Sequence, residues 1–588
     1  MADIDFAALS RKYADERAKR LRPDGVDQYR PLAEMGADFA RDPHADPHFT
    51  REPVRREAEA LIIGGGFAGL LSAANLRKVG ITDVVMVDRA ADFGGTWYWN
   101  RYPGVRCDVE SYVYLPLLEE TGFIPSEKYA TGAEILDQCR RIARHFDLYQ
   151  RALFQTGVTS LDWDEAKSRW LAKTDRGDSI EARFVISCTG LFNCPKLPAI
   201  PGIESFAGHC FHTSRWDYGY TGGGADGRMS GLAGKRVGVI GTGSTGIQCI
   251  PPLAESADHL TVFQRTPSSI DVRGNRPTDP DWAASLKPGW QRERVWNFTN
   301  WTSGVLDGED MVDDSWTAIL RSAASITGGG KAGADPEEIQ KAEIMAMQAV
   351  RDRIDGAVKD PGSAEALKPY YNYFCKRPGF CDYFLEVFNR SNVTLVDTQG
   401  KGVERITPRG VVAGGREYEI DCLVFATGFE YLPEYGHESG MKITGRGGLS
   451  LDQHWSRGAR TLYGVQTHGF PNFFLMRLAQ AGVSINYMHT ADAQTSYIAK
   501  VISACRQNGK SSVELTQAAE SGWVEQILAG SKARRAFMEN CTPGYANREG
   551  RPEASLELNT GYSGGGIRYL QLLETAGADN RFPDLIFN

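Results

Sequence analysis

Two segments of the chain share one pattern of apolar and polar positions. The first covers residues 59–90, EALIIGGGFAGLLSAANLRKVGITDVVMVDRA, in which a short apolar run, a glycine cluster, a longer mixed segment and a second apolar run follow one another. The second covers residues 235–266, KRVGVIGTGSTGIQCIPPLAESADHLTVFQRT, and repeats this order. Short apolar runs bounded by turns predict strands, and the longer segment between them predicts a helix. Each segment therefore predicts a βαβ unit.

The rest of the chain alternates between strand and helix patterns. Between the two units, residues 163–175 (WDEAKSRWLAKTD) and 179–190 (SIEARFVISCTG) predict antiparallel strands. Residues 269–369 are rich in Ala, Asp, Lys and Arg and predict helices, so we interpret them as a helical insertion. Strand patterns return at 393–397 (VTLVD) and 419–429 (EIDCLVFATGF), and helix patterns dominate the C-terminal third.

Residues 1–57 are polar and charged. Four apolar side chains within them are spaced as one face of a helix: Phe6, Leu9, Tyr13 and Leu21. The stretch from Asp42 to Pro53 contains three prolines and predicts a linker. We interpret the segment as an N-terminal arm that packs on the body of the protein and has no chemistry of its own.

Composition narrows the class of protein. A chain of 588 residues is long enough for several domains. Its 66 basic and 74 acidic residues give a net charge of −8, which argues against a nucleic acid as the main partner. Glycine accounts for 64 of the 588 residues, or about 11%, which is above the usual share of about 7%. No run of about 18 apolar residues predicts a membrane span, and the N-terminus lacks the apolar core of a signal peptide.

The eleven cysteines form no regular framework and no C-x-x-C pair. We therefore expect a reduced, cytoplasmic setting in which most thiols are buried and inert.

The first glycine turn has the form G-x-G-x-x-G, with Gly64, Gly66 and Gly69 at the glycine positions and Phe67 opening the helix. These glycines permit a tight turn, bring backbone close to a pyrophosphate and let the helix pack on the strand. Asp88 follows 24 residues after Gly64, where a carboxylate accepts hydrogen bonds from a ribose 2′-hydroxyl and repels a 2′-phosphate. The turn predicts an FAD site, and the alternative is a glycine turn without a ligand.

The second turn, Gly241 to Gly246, differs from the first at one position. Counting 24 residues from Gly241 leads to Arg265, so a guanidinium replaces the carboxylate. Arginine suits bidentate contact with a phosphate, and the second turn therefore predicts an NADPH site. The alternative is a solvated arginine without a partner. Disulfide reductases of this architecture need two redox cysteines a few residues apart in the FAD domain, whereas Cys107 stands alone.

A further motif gives the chain a resemblance to a known family. Residues 206–217, FAGHCFHTSRWD, match the fingerprint F-x-G-x-x-x-H-x-x-x-W-[P/D] through Phe206, Gly208, His212, Trp216 and Asp217. Together with GGTWYWNRYPGVRCDVES, CKR, FNRSNVTLVD, ATGF and GFPN, in that order along the chain, this resembles the Baeyer–Villiger monooxygenases. The resemblance runs from about Glu59 to Gly550. It implies an FAD-containing, NADPH-dependent enzyme that inserts oxygen beside a ketone carbonyl.

The resemblance implies which residues contact each cofactor. For FAD these are the first glycine turn and Asp88, Thr96, Trp97, Tyr98, Trp99, Asp108, Tyr114 and backbone near Val158. For NADPH they are Gly241, Thr242, Gly243, Ser244, Thr245, Gly246, Ile247, Gln248, Arg265, Thr266, Lys376 and the segment Arg106, Cys107 and Asp108.

The resemblance also implies that Arg377 is the catalytic arginine and that Asp108 pairs with it. A guanidinium keeps its charge at any working pH, so it can stabilise a deprotonated C4a-peroxyflavin and the oxyanion that follows. The alternative for Lys376 and Arg377 is a pair of solvated surface charges. For His212 a structural role between the two domains is favoured over direct chemistry.

The implied fold is α/β, with two Rossmann-like dinucleotide-binding domains, a helical insertion and an N-terminal helical arm. We expect the boundaries 1–57 for the arm, 58–200 and 428–588 for the FAD-binding domain, 201–268 and 370–427 for the NADP-binding domain, and 269–369 for the insertion.

The expected reaction converts a bulky cyclic ketone of terpenoid or steroid type, with O2, to a lactone or ester. Small Thr542 and Pro543 in the C-terminal loop NCTPGYANREG are interpreted as leaving room for such a substrate. An N- or S-hydroxylating flavin monooxygenase is the alternative enzyme, and a redox-sensing interaction module is the alternative from another class. The sequence leaves the oligomeric state open.

Overall fold

The fold is described from a computed structural model. The structure describes residues 5–35, 39, 41–224, 227–326, 336–431, 434–552, 555–579 and 581–588. The glycine-rich stretch at 328–333 within the expected insertion lies outside these residues.

The strands alternate with helices along most of the chain. In chain order they are β1 (Tyr29–Pro31), β2 (Arg55–Ile63), β3 (Val84–Val87), β4 (Ala152–Leu153), β5 (Val158–Asp164), β6 (Arg169–Thr174), β7 (Ser179–Ser187), β8 (Lys196–Pro198), β9 (His209–His212), β10 (Arg236–Ile240), β11 (His259–Gln264), β12 (Ile270–Asp271), β13 (Gly379–Phe380), β14 (Val393–Asp397), β15 (Arg405–Thr407), β16 (Gly410–Ala413), β17 (Arg416–Glu419), β18 (Cys422–Phe425), β19 (Lys442–Thr444), β20 (Phe473–Leu475), β21 (Val513–Leu515) and β22 (Leu585–Phe587).

The helices are spread along the described residues, and the longest lie in the insertion and the C-terminal part. In chain order they are α1 (Phe6–Arg20), α2 (Phe67–Lys78), α3 (Thr96–Trp99), α4 (Ser111–Tyr114), α5 (Leu118–Thr121), α6 (Gly132–His145), α7 (Tyr218–Thr221), α8 (Ser244–Ser256), α9 (Pro280–Ser285), α10 (Trp290–Thr302), α11 (Ser315–Ile326), α12 (Pro336–Ala357), α13 (Pro361–Leu367), α14 (Tyr435–Ser439), α15 (Leu451–His454), α16 (Tyr487–Gln507), α17 (Gln517–Asn540), α18 (Ser555–Leu558) and α19 (Gly566–Thr575).

The larger sheet is built around the first βαβ unit. Its strand order is β19-β5-β6-β7-β2-β3-β4, with β20 also paired to β7. Strands β2 and β3 are parallel, whereas β5, β6 and β7 form the antiparallel ladder that the sequence predicts. Alternate residues of β2 enter two different cores: Ala60 and Ile62 belong to one, Leu61 and Ile63 to the other. Both faces of the sheet are therefore buried, as in doubly wound folds.

The smaller sheet is built around the second unit. Its order is β14-β11-β10-β18-β9, and all of its pairs are parallel. Strands β9 and β18 come from distant parts of the chain, before and after the helices of the insertion. These two sheets, with the helical insertion and the helical arm, give the expected fold class: an α/β protein with two Rossmann-like units.

The structure departs from the expected cysteine chemistry at one pair. Cys375 and Cys541 form a disulfide across 166 positions of sequence, whereas nine cysteines are free thiols. The sequence predicted mostly inert thiols because the cysteines form no regular framework and no C-x-x-C pair, and only the tertiary fold brings these two together. Within the described ranges, no helix has both the length and the apolar character that crossing a bilayer requires.

Candidate active site

The two glycine turns have the same backbone conformation. Gly64 and Gly241 both have φ +111°, a region that side-chain-bearing residues rarely adopt. A Cβ on Gly64 would lie 2.3 Å from the carbonyl oxygen of Cys188, and one on Gly241 would lie 2.5 Å from that of Ala426. The first glycine of each turn is therefore required by the close approach of a neighbouring strand.

The last glycine of each turn allows the helix to pack closely. A Cβ on Gly69 would lie 1.9 Å from the Gly64 carbonyl oxygen, and one on Gly246 would lie 2.3 Å from that of Gly241. A Cβ on the middle glycine, Gly243, would meet no atom of the described residues within 4 Å beyond its own chain neighbours, so space remains at the start of α8. A helix start with free N–H groups and space before it is suited to a phosphate.

Asp88 lies directly after β3, at the end of the first βαβ unit. Its carboxylate accepts hydrogen bonds from the backbone N–H of Gly65 and, at 2.7 Å, from that of Ala90. Burial raises the pKa of Asp88, and the backbone donors oppose this effect. The side chain is thus fixed beside the glycine turn, where the ribose of a dinucleotide is expected.

An aromatic cluster surrounds the start of α2. Trp97 is 7% exposed and its Nε1 donates to the Tyr114 hydroxyl at 3.0 Å. The Phe67 ring contacts Tyr114 edge-on, with ring centroids 6.0 Å apart. The sequence-predicted residues Phe67, Trp97 and Tyr114 are therefore neighbours in the structure.

The other predicted FAD residues lie around this cluster. Tyr98 donates its hydroxyl proton to Asp42 of the arm at 2.7 Å, and the Arg215 guanidinium lies 3.9 Å from the centroid of a Trp99 ring. Thr96 is the exposed first residue of α3, and Val158 is the buried first residue of β5.

A short segment that follows the first unit contacts helix α8 of the second unit. Gln248, in α8, accepts from the Tyr102 hydroxyl at 2.8 Å and donates to the Arg106 carbonyl oxygen at 3.0 Å. The Arg106 side chain itself donates to Glu127 and, at 2.7 Å, to the Tyr129 carbonyl. This contact places Arg106 beside α8, the helix that begins at the second glycine turn.

Other predicted residues of the second turn are close together. Thr242 donates to the carbonyl oxygen of Thr266 at 3.3 Å, and both residues are buried. Ser244 and Thr245 begin α8, while Ile247 is 1% exposed and packs into the core.

Cys107 is a buried thiol and not a reactive one. Burial raises its pKa to about 12, so the thiolate is scarce at neutral pH. This agrees with the absence of a redox cysteine pair in the first unit's sequence.

Arg377 and Asp108 form a bidentate ion pair. Arg377 Nε and Nη2 each donate at 2.8 Å to one Asp108 oxygen. Trp316, from the insertion, donates its Nε1 to the Asp108 carbonyl at 2.9 Å, and its ring lies 4.9 Å from the guanidinium. Burial opposes the charge on Arg377, but the Asp108 carboxylate outweighs it and the pKa of Arg377 is raised. The guanidinium therefore stays charged while 38% of its side chain remains accessible.

Tyr545 is an aromatic residue of this site that sequence reasoning missed. Burial raises the pKa of Tyr545 and the Arg377 charge opposes this effect, and the Tyr545 ring contacts Tyr431 with centroids 5.3 Å apart. Thr542 is 4% exposed, and its backbone carbonyl oxygen accepts from the Asn547 side chain at 3.2 Å, so the room that its small side chain leaves stays a prediction. The tyrosine in NCTPGYANREG was the available signal.

Arg265 is not a solvated arginine. Its Nη2 donates to Glu549 at 3.0 Å and its Nη1 donates to Gln28 of the arm. Lys376 belongs to the same neighbourhood, and burial and then the Arg265 charge lower its pKa to about 8. The predicted phosphate-binding residues are thus clustered, with an internal carboxylate on Arg265 that the sequence did not reveal.

His212 is fully buried at the end of β9. Its Nδ1 accepts from the Ser214 backbone N–H at 3.1 Å, which places the proton of the neutral ring on Nε2. Burial lowers the pKa of His212 to about 3, so the ring is neutral at physiological pH. This environment fits a structural residue between the two sheets.

Comparisons with known proteins settle the family. Residues 61–300 match a family model described as pyridine nucleotide-disulphide oxidoreductase. Neopentalenolactone D synthase of Streptomyces avermitilis is 51% identical over 97% of each chain. A Baeyer–Villiger monooxygenase of Stachybotrys chlorohalonatus is 49% identical over 97% of this chain and 92% of its own. The chain belongs to the Baeyer–Villiger monooxygenase family.

This Baeyer–Villiger monooxygenase also matches solved structures of the family. Polycyclic ketone monooxygenase from the fungus Thermothelomyces thermophila has a TM-score of 0.92 at 39% identity, covering 99% of each chain. The complex of OTEMO with FAD and NADP has a TM-score of 0.73 at 28% identity, covering 92% of this chain and 100% of that one. The enzyme is a flavin monooxygenase that uses FAD and NADPH.

Asp88, held beside the first turn by the backbone N–H groups of Gly65 and Ala90, fits the ribose of FAD, and the second turn fits NADPH. The start of α8 has open space in front of Gly243, as a pyrophosphate requires. The Thr266 Oγ1 atom, next to Arg265, is buried and has no hydrogen-bond partner among the described residues. A buried hydroxyl without a partner is costly, and a ribose or phosphate oxygen would satisfy it.

Proposed function

We propose that this Baeyer–Villiger monooxygenase oxidises a bulky cyclic ketone of terpenoid or polycyclic type to a lactone or ester. Two comparisons support this substrate class: the 51% identical relative is named neopentalenolactone D synthase, and the structural match at TM-score 0.92 is a polycyclic ketone monooxygenase. The overall reaction is ketone, O2, NADPH and a proton giving ester or lactone, NADP⁺ and water.

The Asp108–Arg377 pair is the observation that carries the proposal. A ketone carbonyl under attack develops negative charge on its oxygen, and a fixed cation beside it lowers the barrier. Asp108 engages Nε and Nη2 of Arg377, so the guanidinium is held in one orientation. A carboxylate that fixes an arginine in this way positions the charge before reaction, which reduces the reorganisation needed during it.

Tyr431 and Tyr545 offer an apolar surface near the Arg377 guanidinium. Tyr545 is 41% exposed, and its ring packs edge-on against Tyr431. Aromatic rings bury a large apolar area and are common in pockets for apolar ligands. We therefore assign Tyr431 and Tyr545 to the ketone-binding surface.

We assign FAD to the first glycine turn with Asp88 and the cluster of Trp97 and Tyr114, and NADPH to the second turn with Arg265, Thr266 and Lys376. When bound and reduced, FAD would activate O2, which provides the oxygen atom for insertion. Gln248 links α8 to the Arg106 carbonyl, so the two assigned sites share the segment 106–108.

The two sheets motivate the proposed domain boundaries. Strands of the larger sheet lie within 58–200 and 428–588 apart from the first residues of β2, and those of the smaller sheet lie within 201–268 and 370–427. We propose these pairs of segments as the FAD-binding and NADP-binding domains, with 1–57 as the arm and 269–369 as the insertion. We also propose a cytoplasmic enzyme, because nine of the eleven cysteines are free thiols, and no nucleic-acid partner, which agrees with the net charge of −8.

Aerobic incubation with NADPH and a panel of ketones tests the proposal. The panel contains polycyclic, terpenoid and small monocyclic ketones together with amines and thioethers, and products are identified by mass. We expect one oxygen atom to be gained by the polycyclic and terpenoid ketones. Turnover of small monocyclic ketones alone would overturn the substrate class, and oxidation of the amines or thioethers alone would favour the N- or S-hydroxylating alternative.

A further inference from the structure

The predicted phosphate-binding arginine is held by two distant parts of the chain. Glu549, from the C-terminal loop, accepts from Arg265 Nη2 at 3.0 Å, and Gln28, from the arm, accepts from Nη1. Both partners are almost fully buried, Glu549 at 3% and Gln28 at 8% exposure. The carboxylate therefore engages the guanidinium in an enclosed position and not on an open surface.

Two lysines make the surroundings of Glu549 strongly positive. Burial, with a contribution from Arg265, lowers the pKa of Lys196 and of Lys376 to about 8 in each case, while Glu549 opposes this effect. The positive charges of Arg265, Lys196 and Lys376 thus all interact with the Glu549 carboxylate. A cluster with such an excess of positive charge is suited to a dianionic phosphate.

The remaining charges near the cluster do not remove this excess. Glu430 acts on Lys196, but its carboxylate is engaged by His437 at 2.9 Å. Arg20 acts on Lys376 and Arg22 on Arg265, but Arg20 is paired with Glu16 and Arg22 with Asp24, so neither pair changes the net charge of the cluster.

The backbone that carries Glu549 has an unfavourable conformation. Arg548 and Glu549 have φ +50° and +58°, in the left-handed region that side-chain-bearing residues rarely adopt. The Glu549 N–H donates to the Gly544 carbonyl at 2.8 Å, which closes the loop. Two consecutive residues in this region persist only where surrounding contacts hold them, and the ion pair with Arg265 is one such contact.

We propose that Glu549 occupies the position on Arg265 that the 2′-phosphate of NADPH takes, so that Glu549 sets the affinity for the phosphorylated coenzyme. The inference rests on the proposed NADPH site at Arg265. A phosphate dianion and a carboxylate cannot share one guanidinium donor without strong repulsion, so Glu549 leaves Nη2 when NADPH binds. NADH has no 2′-phosphate and requires no such displacement.

Dissociation constants for NADP⁺ and NAD⁺, measured by isothermal titration calorimetry on the FAD-loaded enzyme, test this role. Glu549→Gln keeps the shape of the side chain and removes its charge. We expect the Kd for NADP⁺ to fall about tenfold, equivalent to about 1.4 kcal/mol, and the Kd for NAD⁺ to stay within about twofold. Glu549→Asp keeps the charge but shortens the reach, and a smaller fall for NADP⁺ is expected.

Two further variants make the outcome specific. Glu557→Gln changes the net charge equally, but Glu557 pairs with Arg535 and not with Arg265, so neither Kd should change. Arg265→Ala should weaken NADP⁺ far more than NAD⁺. If Arg265→Ala weakens both equally, the proposed NADPH site is wrong.

If Arg265→Ala acts as expected while Glu549→Gln leaves the Kd for NADP⁺ unchanged or raises it, the role of Glu549 is wrong. A raised Kd would mean that Glu549 orients Arg265 for the phosphate. An equal gain in affinity for NAD⁺, or the same gain in Glu557→Gln, would also overturn it, because the effect would then not depend on the phosphate.

Discussion

Arg377 donates two hydrogen bonds of 2.8 Å to Asp108, a residue 269 positions earlier in the chain. Asp108 lies two residues after Arg106, whose carbonyl oxygen contacts Gln248 of α8. Arg377 lies two residues after Cys375, which forms the disulfide with Cys541. The pair therefore joins the first nucleotide-binding unit to the segment that re-enters the second. Its geometry depends on both units being folded and docked.

Substitution of Arg377 tests the oxygen-transfer role. Arg377→Ala should lower product formation by about 10²- to 10³-fold, the usual loss when a fixed donor to a developing oxyanion is removed. Anaerobic reduction of the flavin by NADPH, followed by stopped-flow absorbance, should change much less. Arg377→Lys serves as the matched variant: it keeps a charge but loses the two-point contact with Asp108, so product formation should remain low. Equal loss of flavin reduction in Arg377→Ala would contradict this role.

The pH dependence of coenzyme binding should follow Lys376. Burial lowers the pKa of Lys376 to about 8, and a bound phosphate would raise it again by stabilising the charged form. As the pH rises above about 8, free enzyme loses this charge while the complex keeps it, so the KM for NADPH should rise by up to about tenfold per pH unit. Lys376→Arg keeps its charge in this range.

Steady-state KM profiles between pH 6.5 and 9.5 check this prediction, with those two limits chosen about 1.5 units either side of the Lys376 pKa. The rise should become shallower in Lys376→Arg, and the remainder is expected from Lys196, whose pKa is also about 8. A profile in the variant that matches the unmodified enzyme would assign the titration to another group.

Acid should destabilise the fold through His212. Burial lowers its pKa to about 3 in the folded protein, whereas an unfolded histidine has a pKa of about 6.5. Below about pH 6.5 the unfolded chain binds a proton that the folded one does not, so His212 costs about 1.4 kcal/mol of stability per pH unit. His212→Asn retains an acceptor for the Ser214 N–H without a titrating ring.

Thermal unfolding at pH 7 and about pH 5 compares the two proteins. The fall in Tm between these values should be smaller for His212→Asn, because the variant takes up about one proton fewer when it unfolds at the lower pH. Parallel curves for variant and unmodified enzyme would show that His212 is not buried as a neutral ring.

Counting thiols tests the Cys375–Cys541 disulfide. The denatured, unreduced protein should titrate nine thiols and the reduced protein all eleven. The double variant Cys375→Ser, Cys541→Ser should be less stable by about 2–4 kcal/mol, because it frees a long closed loop in the unfolded chain. Eleven thiols before reduction would contradict the bridge.

Sequence reasoning was most successful where chemistry is encoded within a short segment. The two βαβ units, their glycine turns and the antiparallel strands between them each follow from local periodicity and turn composition. The contrast between Asp88 and Arg265 also depends only on spacing within a unit. These features are the same in the folded protein because the turn, strand and helix that define them are neighbours in sequence.

The parts that escaped prediction are contacts between distant segments. Trp316 reaches Asp108 across 208 positions, and Glu549 reaches Arg265 across 284. The sequence pattern does not identify such residues, because the periodicity of a helix or loop indicates which of its side chains are buried but not which distant residue they contact. The resemblance to a family supplied Arg377 and Asp108, but it did not supply the arm residue Gln28 or the carboxylate that meets Arg265.

The Cys375–Cys541 bridge closes a covalent ring that runs through both sheets. The chain between these cysteines contributes β14 and β18 to the smaller sheet and β19 and β20 to the larger one. A protease that cuts one peptide bond inside this ring would open it without releasing a fragment. Such a nicked molecule would migrate as a single species until a reductant breaks the sulfur bridge, and only then would it separate into two pieces.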